Sequence, residues 1–139
     1  MRALKDGAEA DLTHIVRAQD SATNWGNDLP VLATPVLLWL GEVAAMRVLE
    51  GALEDGEMTV GYAHTDARHL AATPEGWTVT VQATLTHVDG TMLHFFVEAT
   101  DARDVVFRGT HIRALINQQR FVERFDRKVE GGELQGVRQ

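Results

Sequence analysis

The chain has 139 residues, 45% of them hydrophobic, a formal net charge of −7 and no cysteine. That length supports one domain with a real core, the negative balance argues against nucleic acid as a partner, and the lack of cysteine removes disulfides, thiol nucleophiles and cysteine-held metals. No run approaches the roughly 18 apolar residues that span a bilayer, and residues 1–7 lack the apolar core of a secretory signal, so a cytoplasmic protein without a membrane partner is expected.

Residues 11–18, with Leu12-Thr13-His14-Ile15-Val16 inside them, read as a first strand. Residues 19–33 connect it onward and hold the turn formers Asn24, Gly26, Asn27, Asp28 and Pro30. A helix follows. Thr34 is its expected N-cap and Pro35 its first residue, Arg47 suits the C-terminal end of the dipole, and Gly51 is the expected stop.

That helix carries the main anomaly of the chain. From Pro35 to Met46 it is apolar except for Glu42. At about 100° per residue Glu42 shares its face with Leu38, Trp39, Ala45, Met46 and Leu49. Burying an unpaired carboxylate costs several kcal/mol, roughly. Two readings stay open. Glu42 caps a polar patch or pairs with an arginine across a subunit interface; or it is held at a site that uses it, with a pKa raised by desolvation. Gly41, which weakens the helix by up to about 1 kcal/mol, points to a close approach by another element.

Beyond the helix, Glu54-Asp55-Gly56 turns the chain and residues 58–68 read as extended. Residues 71–76 break that run. Residues 77–88 alternate at period two with β-branched side chains. Asp89-Gly90 is a hairpin signal, residues 92–100 are the partner strand, and residues 105–116 form the last long strand. From Gln118 the tail is charged and amphipathic, with Phe121, Val122 and Phe125 able to dock. The end from Gly131-Gly132 is expected to fray. One helix and one antiparallel sheet make an α+β layer architecture.

Three strings then carry a family resemblance. They are Leu32-Ala33-Thr34 with Glu42 eight residues on, Arg68-His69-Leu70-Ala71-Ala72-Thr73-Pro74-Glu75-Gly76, and Gly109-Thr110-His111-Ile112-Arg113-Ala114. In that order the chain resembles the fluoroacetyl-CoA thioesterase type of hotdog protein over roughly residues 10–128. The resemblance implies a single hotdog domain over residues 1–139, with an antiparallel sheet wrapped around one long central helix and a flexible tail at about 129–139. It implies an acyl-CoA thioesterase that forms at least a homodimer, with its site at the subunit interface and no cofactor beyond the CoA of the substrate. Carried over, the catalytic residues are Thr34, Glu42 and His69, and the substrate-binding residues are Trp25, Val36, Gly61 and Arg113, with structural pairing as a second reading of Arg113.

The residue types suit the chemistry. Thioester hydrolysis needs a nucleophile or activated water, a proton carrier and a donor for the developing oxyanion. Glu42 can attack the acyl carbon or activate water, His69 can move protons near neutral pH, and Thr34 sits where free N–H groups favour negative charge. His64 lies five residues before His69, and the Ala-Ala-Thr-Pro anchor favours His69 as the site histidine. His111 reads as a strand residue hydrogen-bonded in place, and His14, His87 and His94 lack supporting context. No zinc signature is present, so no metal is expected, and Ser21 has no nucleophile-elbow setting.

Two departures bear on selectivity. The fluoroacetyl-specific type has glycine after its threonine where this chain has Pro35, so a backbone oxyanion donor must be Val36 or lie elsewhere. It also has phenylalanines ahead of the helix; Trp25 preserves one aromatic and Asp28 cannot replace the other. Another short or medium acyl group is therefore expected. A non-catalytic acyl-CoA-binding or regulatory hotdog module is the alternative, and an enoyl-thioester hydratase is disfavoured because its glycine-rich Asp/His string is missing.

Overall fold

The computed structural model describes residues 1–138, and side chains for residues 1–132. Its elements are β1 (Glu9–Ile15), α1 (Thr34–Val48), β2 (Glu57–His69), β3 (Thr78–Asp89), β4 (Met92–Thr100), β5 (Val105–Asn117) and α2 (Gln118–Arg138), with two short 3-10 turns between β1 and α1. The strands form one antiparallel sheet in the order β1-β3-β4-β5-β2. This is the hotdog fold, with α1 lying on the concave face.

The period-two pattern of β3 does what it announces. Val79, Val81, Ala83 and Leu85 are fully buried, and across the ladder Leu93, Phe95, Val97 and Ala99 of β4 continue the same face. Onto that face α1 presses Val36, Leu37, Leu40, Gly41, Ala44, Ala45 and Val48. Burying a leucine such as Leu37, completely enclosed here, stabilises by about 1.5–3 kcal/mol. A Cβ on Gly41 would stand 3.1 Å from Val97 Cγ1, so the close approach expected at this glycine is made by β4.

Several local expectations change. β1 ends at Ile15, because Asp20 draws the next residues into a turn: its carboxylate accepts the Arg17 N–H at 2.9 Å and pairs with His14 Nε2 at 2.7 Å. The N-cap of α1 is Ala33, whose backbone is extended, while Thr34 is already helical. The amphipathic tail folds as α2, and Phe121, Val122 and Phe125 stay exposed rather than docking on their own domain. The expected fraying falls largely on residues 133–139, which lie outside the residues described in full.

Two features of β2 position the site. One edge pairs with β5, and the other has no partner among the described residues. The register with β5 slips twice, between Gly61 and Ala63 and between Thr65 and Arg68. The second slip is a bulge in which Asp66 takes a positive φ of 52°. Gly109 of β5 makes room for it, since a Cβ there would lie 3.0 Å from Ala67 Cα.

Candidate active site

The Ala-Ala-Thr-Pro string after β2 works as a clamp. Thr73 is completely buried, its carbonyl accepts the Leu32 N–H at 2.9 Å, and its hydroxyl donates to Asp101 Oδ2 at 2.9 Å. Leu70 N–H in turn binds the Val106 carbonyl at 2.7 Å. The entry to α1 is thereby tied to the end of β2. As a result Thr34 Oγ1 and His69 Nδ1 stand 2.8 Å apart, so the expected cap hydroxyl is engaged with the histidine instead.

Burial holds the His69 imidazole below its ordinary pKa of 6.5, with a backbone group of Ala71 pulling weakly the other way. A neutral ring that accepts the Thr34 O–H at Nδ1 carries its own proton on Nε2. That Nε2 is buried and has no partner among the described residues. Beside the pair lies an open cleft of about 270 Å³ lined by Ala22, Trp25, Val31, Thr34, Pro35 and His69. Trp25 thus keeps an aromatic wall where one was expected.

Glu42 forms a second cluster. Its Oε2 accepts from His64 Nε2 at 2.9 Å, and its Oε1 accepts from Arg113 Nη1 at 3.3 Å. Arg113 is buried and anchored from behind, by Nε to Thr59 Oγ1 at 2.9 Å and Nη2 to the Thr59 carbonyl at 3.2 Å. His111 Nδ1 donates to the Ala63 carbonyl at 2.9 Å, and its Nε2 accepts from Arg113 at 3.1 Å. Burial pushes His111 down to about 4, so it is neutral near pH 7. Gly61 matters here as an absence of side chain, because a Cβ would fall 2.7 Å from Glu42 Oε1.

The expected rise in the Glu42 pKa does not occur. Burial does pull it upward, but the His64 hydrogen bond and the charges of His111, His64 and Arg113 together hold it below 4.5. With His111 neutral, Arg113 is the permanent cation of the group. The carboxylate is also only partly enclosed, with its side chain 33% exposed. Arg113 meets Glu42 within one protomer, so an arginine pairing of Glu42 does exist, without a subunit interface between them.

Oxygen or nitrogen atoms of Glu42, His64 and His111 come within 4.8 Å of one another, a spacing that could hold a metal. The Arg113 guanidinium already sits against two of the three, and the imidazoles of His64 and His111 are stacked at 4.3 Å with an 18° tilt. Parallel rings do not aim their lone pairs at one point, so the geometry favours an arginine–carboxylate cluster.

The two clusters do not meet inside one chain. Thr34 and Glu42 are eight residues apart on α1, about 12 Å by helical rise. His69 and His64 pair with Phe107 and His111 on β5, four residues apart, or about 13 Å. Of the expected residues, the fold joins Thr34 to His69 with Trp25, and Glu42 to Gly61 with Arg113. Val36 is buried, and its N–H donates to the Ala33 carbonyl at 3.1 Å, so it is not the free oxyanion donor expected. His64 is the site residue the sequence reading set aside. Its signal was a second histidine on the strand facing Glu42, hidden because an odd separation from His69 implies opposite faces.

Residues 16–119 match the family described as fluoroacetyl-CoA-specific thioesterase. The chain belongs to that family. A fluoroacetyl-CoA thioesterase from Streptantibioticus cattleyicolor is 40% identical over 102 residues, 73% of each chain. A crystal structure of the fluoroacetyl-CoA thioesterase FlK superposes with a TM-score of 0.84 at 32% identity, over 91% of this chain and 98% of that one. A thioesterase superfamily member from Thermus thermophilus superposes with a TM-score of 0.90 at 27% identity, over 96% and 99%. These relatives and this chain therefore share the hotdog frame, and the matched residues 16–119 span both clusters.

Proposed function

We propose that this protein hydrolyses a short or medium acyl-CoA, or a related acyl thioester, to the free acid and CoA. Thioester hydrolysis is the activity of its family. The single observation that carries the residue assignment is the Thr34–His69 hydrogen bond at the mouth of an open cleft, with an ionised Glu42 held in a second cluster on the same face of the sheet.

A general base works best with a pKa near the working pH, whereas a nucleophile needs to be ionised. The low pKa of Glu42 therefore favours attack on the acyl carbon. The Glu42 oxygen bonds to the thioester carbon, the carbon–sulfur bond breaks, and the CoA thiolate leaves and is protonated. Water then cleaves the resulting anhydride: its oxygen bonds to the acyl carbon, the bond to the Glu42 oxygen breaks, and the water proton passes by way of the Thr34 hydroxyl to Nδ1 of neutral His69. No cofactor beyond the substrate's own CoA is required.

The reading includes a homodimer and a cytoplasmic location. β2 is a 13-residue strand with an open edge, which soluble proteins rarely leave uncovered. Tyr62 on β2, and Met46 one turn beyond Glu42 on α1, are large apolar residues left exposed. A second copy added antiparallel along that edge, with the two-fold axis crossing β2 between His64 and His69, brings the Glu42 cluster of each protomer to the Thr34–His69 pair of the other. Among the described residues no helix is long and apolar enough to cross a membrane.

The relative is named for fluoroacetyl-CoA. Pro35 after the threonine, and the exposed Asp28 ahead of the helix, favour a different acyl group here. Steady-state hydrolysis over a panel of acyl-CoA esters, fluoroacetyl-CoA and acetyl-CoA included, tests the proposal. Turnover of short or medium esters is expected. Tight binding of these esters without turnover would make the protein an acyl-CoA-binding module instead.

A further inference from the structure

We infer that His64 is a positioning residue for Glu42, donating from Nε2 to hold and aim the carboxylate, and that the β2 bulge at Asp66 serves to set His64 on the same face as His69. The inference rests on the proposed thioesterase reading but concerns a histidine outside the expected Thr34, Glu42 and His69 set.

Geometry carries it. His64 and His69 are five residues apart, so a regular strand would point them to opposite faces. The extra residue accommodated between Thr65 and Arg68 restores the parity. His64 then pairs with His111 and His69 with Phe107, positions four apart on β5 and hence on one face. The glycine at 109 and the positive φ of Asp66 are the local conditions for that slip. A bulge that re-aims a side chain beside a site is a known use of the device.

The groups facing Glu42 are His64 from β2 and His111 and Arg113 from β5. Each oxygen has its own donor: Arg113 on Oε1 and His64 on Oε2. Arg113 is fixed by Thr59, and His64 is fixed by stacking on His111, itself tied to the Ala63 carbonyl. His64 is thus the last link of a braced chain, and it is more exposed than His111 or Arg113, with 26% of its side chain accessible. Losing it should leave the core intact while freeing one carboxylate oxygen. The His64 hydrogen bond is the largest of the influences lowering the Glu42 pKa, so its loss should let burial raise that pKa.

Two measurements decide the matter. In steady-state kinetics, His64→Ala should lower kcat by about tenfold or more with KM little changed. It should also move the acidic limb of the kcat/KM profile to higher pH. His64→Gln, which keeps a donor, should recover most of both. Independently of catalysis, carbon-13 NMR of the Glu42 side-chain carboxyl should titrate at higher pH in His64→Ala than in the wild type. An unmoved carboxyl titration overturns the inference whatever the substrate proves to be. So does a His64→Ala enzyme with wild-type kcat and pH profile. A protein that hydrolyses no thioester, yet shows the carboxyl shift, would instead refute the thioesterase reading and leave the His64–Glu42 coupling standing.

Discussion

At the scale of single residues, the proposed chemistry turns on how two ionisable groups are kept in useful states. Glu42 is charged because donors from His64 and Arg113 meet its two oxygens, and burial holds His69 below its ordinary pKa. Replacing Glu42 with glutamine keeps the shape and removes the charge, so turnover should fall by at least about 10²-fold; a folded variant with normal kcat would remove Glu42 from the reaction. Thr34 is not the helix cap, so Thr34→Ala should cost little stability while lowering activity, and Thr34→Ser should restore the bond to His69 and most of the rate. Equal inactivity of a folded serine variant would shift the role of Thr34 to its methyl group. His111 supplies a pH dependence of a different kind. Its pKa is about 4 in the folded state against 6.5 in its ordinary state. Between these values the unfolded chain binds a proton that the folded chain refuses, so stability is complete above about pH 6.5 and declines as pH falls toward 4. The loss reaches about 3 kcal/mol at most. Denaturant unfolding at several pH values should show that slope, and His111→Asn should flatten it.

At the scale of elements, β2 and its bulge decide which side chains can meet. Gly109→Ala would force a Cβ to 3.0 Å from Ala67 Cα. The expected cost is about 1–3 kcal/mol, as for other overpacked sites, read as a lower denaturation midpoint. Deleting Asp66 would remove the extra residue and turn either His64 or His69 to the convex face. Activity should be lost while the sheet still unfolds cooperatively; retained activity would show that the bulge does not set the site. The clamp around Thr73 is the second such device. It places the start of α1 against the end of β2 through main-chain bonds from Leu32 and Leu70, which explains why a string with no reactive residue of its own accompanies the site histidine.

At the scale of the whole molecule, the two clusters stand at separate points along β2, and in the proposed homodimer a two-fold partner completes both. Mixing two inactive variants tests this without a structure of the dimer. In a heterodimer of Glu42→Gln with His69→Ala, one of the two shared sites regains both wild-type residues and the other loses both. Refolding the two together should therefore recover activity up to about one site in half of the dimers. If all three residues acted within one protomer, every site in the mixture would stay defective and no activity would return. Light scattering at micromolar concentration should give at least a dimer; an active monomer would exclude the shared site.

Much of this protein is written locally. The period-two run that became β3, the Asp89-Gly90 turn, the proline near the start of α1 and the apolar stretch around Glu42 each identify an element from neighbours a few residues away, and the motif strings identify the family. Thr34, Glu42 and His69 could be selected on that basis. What local pattern could not settle was who touches whom. The carboxylate looked stranded among apolar neighbours, and a raised pKa followed; the donors His64 of β2 and Arg113 of β5, far away in the chain, reverse that sign. His64 looked misaligned because strand parity assumes a regular strand, and the bulge depends on Gly109 across the ladder. Periodicity is a property of adjacent residues, whereas electrostatic environment and register are properties of strands brought together by folding, and so only the tertiary structure decided them.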